Sequence, residues 1–137
     1  MELFDNLEDN YPSWHPKDHV SCRSIKGRPH EVGSVAHFEE ALDGKPFKIR
    51  VKTTKVERYE YSENEPYFPL SIFPPKGAYI FEAKGGNCVF TAINHFRIPR
   101  LFRKSFLAYT GIEALRAYIK DEGLTLKNLP EKQRCCR

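Results

Sequence analysis

The stretch KPFKIRVKTTKVERYEY, Lys45–Tyr61, decides the fold of this chain. Apolar and basic side chains alternate along its first half. The apolar set is Phe47, Ile49 and Val51, and the basic set is Lys48, Arg50 and Lys52. Successive side chains of a strand point to opposite faces, so this alternation predicts a strand with one buried and one solvated face. Such two-sided strands are typical of an antiparallel sheet.

Further segments with strand character flank this stretch, from Val20 to about Ile98. EVGSVAHFEEAL precedes it and is followed by Asp43-Gly44, a strong turn signal. YFPLSIF, AYIFEA and CVFTAINHF come after it, and NEP, PPKG and KGGN mark the turns between them. Pro69 inside YFPLSIF indicates an edge position or a bulge. The sequence therefore predicts a meander of five or six antiparallel strands.

Helices are predicted at both ends of the chain. The residues from Glu2 to Leu7 predict a short helix, which Pro12 and Pro16 prevent from continuing. Residues 103–131 predict a long amphipathic helix that ends at Pro130. Its apolar stripe is Ala108, Ile112, Leu115, Ile119, Leu126 and Leu129. We expect an α+β fold in which a curved antiparallel sheet wraps around the C-terminal helix, with a ligand cavity between them.

Length and composition predict one domain over residues 1–130 and a flexible tail over 131–137. The 137 residues suit a single core, and no apolar run approaches the roughly 20 residues that a membrane span needs. The net charge of +4 is mild for a nucleic-acid-binding protein. Its basic residues cluster in RIPRLFRK, residues 97–104, which forms either a solvated rim or a contact for an anionic ligand or surface.

The cysteines and the start of the chain favour a cytoplasmic location. MELFDNLEDN is acidic and lacks the basic-then-apolar order of a signal peptide. Cys22 and Cys88 stand alone, and Cys135 and Cys136 are adjacent, so no CxxC pair indicates a zinc or redox motif. The adjacent pair belongs either to a frayed end or to a site of lipidation or metal capture.

Three polar residues interrupt apolar faces. Glu122 lies on the helix stripe, with Tyr118 one turn earlier, and either faces the cavity or reaches water at its mouth. Glu40 shares a strand face with Phe38, so its carboxylate either points inward or pairs with a surface lysine. His95 shares the face of other apolar residues in its strand and is either a hydrogen-bonded core residue or a ligand contact.

The stretch YPSWHPKDH, Tyr11–His19, enters the first visible strand as an irregular turn. We expect Trp14 to close one end of the cavity and His19 to turn toward Glu40 and Glu122. One histidine and two glutamates from three elements could form a zinc shell with an open position, or a metal-free acid–base group. No two of these residues share a recognised metal motif.

The order of a Trp-His-Pro turn, a meander and a long C-terminal helix resembles the START-like superfamily (Bet v 1-like, SRPBCC), which includes polyketide cyclase/dehydrase proteins. The resemblance covers roughly residues 5 to 130. WHPKDHV, HFEEALDG and YIKDEGLTLKNL are most similar to the diacetylphloroglucinol hydrolase-like branch. That branch cleaves a carbon–carbon bond in an acylated phenol, using zinc held by histidine and glutamate.

The resemblance implies zinc ligands at His19, Glu40 and Glu122. The hydrolase-like branch has a further histidine one turn before the helix glutamate, where this chain has Tyr118. A tyrosine is a poor zinc ligand at neutral pH because its proton leaves only near pH ~10. The superfamily also begins with a strand that is missing or very short here. Either the gene start is misplaced or a second copy of the chain completes the sheet edge as a homodimer.

Two functions follow as expectations. The first is a hydrolase or lyase acting on a small aromatic or polyketide-like substrate, with His19 as metal ligand or general base. Glu40 and Glu122 would then be ligands or proton shuttles, and Tyr118 would donate a hydrogen bond to an oxyanion. The alternative is a non-catalytic carrier or sensor of an apolar ligand. The residues expected to contact the ligand are Trp14, Phe38, Phe47, Phe81, Phe90 and His95.

Overall fold

The computed structural model describes residues 6–42, 44–68, 76–97, 99–102 and 106–129. Over these ranges the chain forms one six-stranded antiparallel sheet and two α-helices. The helices are α1 (Leu7–Trp14) and α2 (Phe106–Asn128), with a 3-10 turn at Arg100–Phe102. The strands are β1 (His19–Lys26), β2 (Val35–Leu42), β3 (Lys45–Glu57), β4 (Tyr61–Pro66), β5 (Lys76–Lys84) and β6 (Asn87–His95). No helix in these ranges is both long and apolar enough to cross a membrane.

The sheet is the predicted meander, because each strand pairs with the strand that follows it, in the order β1 to β6. The alternation in β3 is confirmed: positions 47, 49 and 51 are half-buried, and positions 48, 50 and 52 are exposed. Glu40 of β2 lies opposite Phe47, and both face the cavity. On the outer face Glu39 pairs with Lys48 at 3.1 Å. The assignment of inner and outer positions in β2 is therefore confirmed.

Three predicted strand boundaries were wrong. β3 ends at Glu57, and residues 58–60 form a turn in which Tyr59 has a φ of 69°. NEP lies inside β4 rather than in a turn, because Asn64 pairs with Thr53 of β3. The Lys-Gly of PPKG likewise begins β5. Most of YFPLSIF, including Pro69, lies outside the described residues. The turn within KGGN is confirmed, with positive φ at both of its glycines.

Residues 2–5 of the helix predicted over Glu2–Leu7 lie outside the described residues. A helix does span Leu7–Trp14 and contains Pro12, so the expectation that this proline prevents a helix here was wrong. Pro12 lies in the last turn of α1, so its missing N–H removes one hydrogen bond of an eight-residue helix. Burial compensates for that loss, since the side chains of Tyr11 and Trp14 are each 3 % exposed. Their rings pack edge to face at 6.3 Å. Tertiary packing therefore outweighs the proline in this helix.

The long C-terminal helix is confirmed as α2. Near its end Leu126 is buried in the core, and Leu129 packs against that core. The other buried members of the core are Tyr11, Trp14, Cys22 and Phe81. Earlier in the helix Ile112, Leu115 and Ile119 face the cavity. The side chain of Ala108 and all of Pro130 lie outside the described residues. Thus the end of α2 is anchored, while its middle forms a cavity wall.

The cysteines differ from one another in state. Cys22 is a free, buried thiol, and burial raises its pKa to about 12. Cys88 is disulfide-bonded. Cys135 and Cys136, together with part of the basic cluster 97–104, lie outside the described residues. β1 and β6 form the two edges of the sheet, and the completion of an edge by a second copy stays a prediction.

Candidate functional site

A cavity of about 1500 Å³ lies between the inner face of the sheet and α2. Most of its wall is apolar, and β2, β3 and α2 contribute large parts of it. Its apolar wall includes Trp14, Ala36, Phe38, Phe47, Ile49, Val51, Ile112, Leu115 and Ile119. At one end this wall gives way to Tyr11, Glu40, Tyr118 and Glu122. A largely apolar hollow with a few converging polar groups is the usual form of a small-molecule site.

The structure places the predicted ligand contacts in different surroundings. Trp14, Phe38 and Phe47 line the cavity. Phe81 is buried in the core and Phe90 packs against that core, and neither is part of the cavity wall.

His95 is exposed at the end of β6 and also lies outside the wall, which corrects its assignment as a ligand contact. Val89 and Ile93, which share its strand face, are 40 % and 37 % exposed. That face is therefore the outer one.

His19 begins β1 with its imidazole fully buried. Nδ1 lies 3.1 Å from the backbone carbonyl of Tyr11, and the two rings stack at 3.9 Å. A carbonyl only accepts, so Nδ1 carries a proton, and Nε2 is the ring nitrogen that faces α2. Nε2 lies 3.0 Å from the Tyr118 hydroxyl and 3.2 Å from Oε1 of Glu122. The structure thus brings together the imidazole and the helix carboxylate.

Glu40 completes this group from β2, where it accepts a hydrogen bond from the Tyr11 hydroxyl. Burial raises the pKa of Glu40, although the Tyr11 hydrogen bond and nearby His19 oppose that shift. Burial also raises the pKa of Tyr11 and of Tyr118 well above their usual range, and the charge of Glu40 adds to both shifts. Both phenols therefore keep their protons at neutral pH. We call Tyr11, His19, Glu40, Tyr118 and Glu122 the His19 cluster.

This donor set fits zinc poorly. Zinc requires deprotonated ligands, whereas Tyr118 keeps its proton and Glu40 already accepts the proton of Tyr11. Ligands of one metal ion must lie close together. Within the described part of the chain, the donor atoms of His15, Asp18 and Asp121 all lie within 4.8 Å of one another. The predicted zinc set of His19, Glu40 and Glu122 is not such a group. The cluster has the form of a proton-sharing hydrogen-bond network.

His15 is a buried residue that the sequence did not single out. Its ring is 2 % exposed and lies 5.3 Å from that of His19. Nε2 lies 3.0 Å from Asp121 and Nδ1 lies 3.4 Å from Asp18. A metal ion takes one ring nitrogen, whereas these carboxylates flank different ones, so the arrangement suits an ion pair. Two sequence signals could have identified this residue. One is the spacing of His15 and Asp18, and the other is the pair of adjacent carboxylates at Asp121 and Glu122.

The curved sheet, the C-terminal helix and the cavity between them define the Bet v 1-like, helix-grip fold, which confirms the START-like resemblance at the level of the fold. Two crystal structures of ginseng major latex-like protein 151 from Panax ginseng match with TM-scores of 0.66 and 0.64. Each is 17 % identical to this chain. Both alignments cover 94 % of this chain, and they cover 87 % and 86 % of the ginseng protein, respectively.

Ara h 8.0201 matches with a TM-score of 0.53 and 15 % identity, over 92 % of this chain and 86 % of that protein. No family model matches the sequence. No curated protein matches it either. At these identities the likeness shows the fold alone, and it does not support the hydrolase-like branch.

The carboxylates of Glu40 and Glu39 should have opposite effects on the pH dependence of stability. The raised pKa of Glu40 contributes stability below its unfolded pKa, and this is lost as pH rises through the folded value. Lys48 lowers the pKa of Glu39, so its contribution is lost as pH falls. We expect the free energy of unfolding, measured with urea from pH 3 to 8, to be higher in the wild type than in Glu40→Gln by a difference that shrinks as pH rises. The corresponding difference between the wild type and Glu39→Gln should grow as pH rises. Equal slopes would contradict the assignment of Glu40 to the buried face.

Tyr118→His should raise zinc affinity, because a second imidazole would join His19, Glu40 and Glu122 in place of a protonated phenol. We expect at least a roughly tenfold gain over the parent chain by calorimetric titration. Tyr118→Phe is the control, which removes the hydroxyl without adding a ligand. Unchanged affinity in Tyr118→His would mean that this position does not face the imidazole of His19.

Proposed function

We propose that this chain binds a small apolar or aromatic molecule in its cavity, with a polar group of that molecule at the His19 cluster. The observation that carries this proposal is a hollow of about 1500 Å³ whose apolar wall ends at four polar side chains of the cluster, Tyr11, Glu40, Tyr118 and Glu122. Soluble domains close-pack their interiors and leave few voids larger than a water molecule. A large apolar hollow with converging polar groups is therefore best explained by an occupant.

The chemistry of the cluster favours a hydroxyl or phenol as the polar group of the ligand. Tyr118 keeps a proton and can donate, whereas the Glu122 carboxylate can accept. A hydroxyl both donates and accepts, so it can satisfy both kinds of partner. A carboxylate ligand would be repelled by Glu122 and Glu40. We infer a neutral ligand of this class, which the chain carries or senses.

A tryptophan placed in the cavity wall should abolish binding of an apolar fluorescent probe. Val51 lines the cavity on β3, so Val51→Trp fills space that the probe needs. We expect the neutral dye N-phenyl-1-naphthylamine to bind the wild type saturably and Val51→Trp about tenfold more weakly or worse. Val89→Trp is the matched control, because Val89 is 40 % exposed on the outer face. Absence of saturable binding to the wild type would refute the proposal.

A second candidate function is metal-free hydrolysis of an acylated phenol. The placement of His19 Nε2 beside both a carboxylate and a phenol favours it. In this function His19 takes a proton from water, which attacks the ketone carbonyl. The bond between carbonyl carbon and ring breaks, acetate leaves, and the ring carbon takes up the proton. Tyr118 would donate to the oxygen of the intermediate.

The hydrolytic function predicts release of acetate from 2,4-diacetylphloroglucinol in the presence of EDTA. His19→Ala should lower the rate at least a hundredfold, because the general base is removed. His37→Ala should leave it unchanged, since His37 lies on the outer face beside Glu39. Chromatographic measurement of both products tests this. Binding of the phenol without turnover by the wild type would leave only the carrier or sensor function.

A further inference from the structure

A second set of polar side chains crosses the inner face of the sheet, away from the His19 cluster. Thr53 lies opposite Asn64, Asn64 opposite Gly77, and Gly77 opposite Asn94. The backbone N–H of Thr53 donates to the carbonyl of Ser34, which extends the alignment to the start of β2. All five residues line the cavity. We call Ser34, Thr53, Asn64, Gly77 and Asn94 the polar row.

The hydrogen bonds within the polar row run in one direction. The Ser34 hydroxyl donates to Oγ1 of Thr53 at 3.1 Å, and Thr53 donates to Oδ1 of Asn64 at 3.1 Å. With Oδ1 of Asn64 engaged as an acceptor, its amide NH₂ presents donors beyond the end of this relay. The relay therefore orients an amide donor beside Gly77.

Gly77 lies between two asparagines, and its lack of a side chain makes room for the amide of Asn94. We call this part of the cavity wall the Gly77 notch. A Cβ atom at Gly77 would lie 2.9 Å from Oδ1 of Asn94, which is closer than real Cβ contacts come. The side chain of Asn94 therefore leans over the position that a larger residue would occupy. Because Asn64 lies on the other side of the same glycine, the notch has an amide side chain on each flank. Each amide supplies both donors and an acceptor.

The polar row and the His19 cluster are separated by an apolar stretch. Glu40 lies opposite Phe47, and Thr53 follows six residues later on β3, about 20 Å along the strand. The inner positions between them on β3 are Ile49 and Val51. The matching positions on β2 are Phe38 and Ala36. Along the inner face of the sheet, the cavity wall is therefore polar at the His19 cluster, apolar in the middle, and polar again at the polar row.

We propose that the ligand carries polar groups at both ends of an apolar body, and that Asn64 and Asn94 bind the second group in the Gly77 notch. This inference rests on the proposed function, because it names a further subsite of the same cavity. A hydroxyl, carbonyl or amide fits the notch, since each can pair with an amide side chain. The apolar body of the ligand contacts the apolar wall at Phe38 and Ala36.

The test compares 1,12-dodecanediol with 1-dodecanol as competitors of N-phenyl-1-naphthylamine. The measured quantity is the ratio of the Kd of the monoalcohol to that of the diol. We expect Asn64→Leu and Asn94→Leu each to lower this ratio about tenfold, because hydrogen bonds to the second hydroxyl are lost. Gly77→Ala should lower it as well, since the added methyl enters the notch. Asn87→Leu is the control, because Asn87 is exposed and outside the cavity wall.

The outcomes separate this inference from the proposed function. An unchanged ratio in both asparagine variants overturns the second subsite, while dye binding still supports the cavity. If the wild type binds neither the dye nor either alcohol, both proposals fail. Thermal unfolding by circular dichroism checks each variant. Should Asn64→Leu fail to fold, Asn94→Leu decides the matter, because Asn94 lies outside the relay from Ser34 to Asn64.

Discussion

The hydrogen bonding of the His19 imidazole links α1, the sheet and α2. Its Nδ1 is bound to α1 through the carbonyl of Tyr11, and its Nε2 faces Tyr118 and Glu122 of α2. Glu40 brings β2 into the same network through Tyr11. Buried polar groups are costly unless each has a partner, so the network favours one placement of α2 over the sheet.

The inner face of the sheet is divided between packing and binding. Phe81 on β5 meets Leu126 in the buried core, and Phe90 on β6 packs against them. On β2 and β3 the corresponding inner residues, such as Phe38 and Ile49, line the cavity. The core thus draws on β1 and β5 together with both helices, whereas β3 keeps its inner apolar residues for the cavity wall.

Local periodicity predicted the features that depend on a single strand or helix. Alternation in β2 and the α2 stripe placed Glu40 and Glu122 on cavity faces. The phase of β6 was wrong at His95, because CVFTAINHF has apolar residues on both faces and alternation cannot choose between them. Asn64 was interpreted as a turn residue, so the polar row remained hidden until the strand pairing aligned it with Thr53. Register between strands is a nonlocal property that spacing along one segment does not contain.

Helix α1 is too short to be stable by itself. It has eight residues, no side-chain cap at its N-terminus, and Pro12 within it, whereas isolated helices shorter than about 12–15 residues are marginal in water. Its helicity is therefore induced by docking of Tyr11 and Trp14 onto the rest of the domain. A chain in which the sheet has formed but this helix has not docked lacks the hydrogen bond from Tyr11 to Glu40. The end of the cavity formed by Tyr11 and Trp14 therefore exists only while α1 is docked.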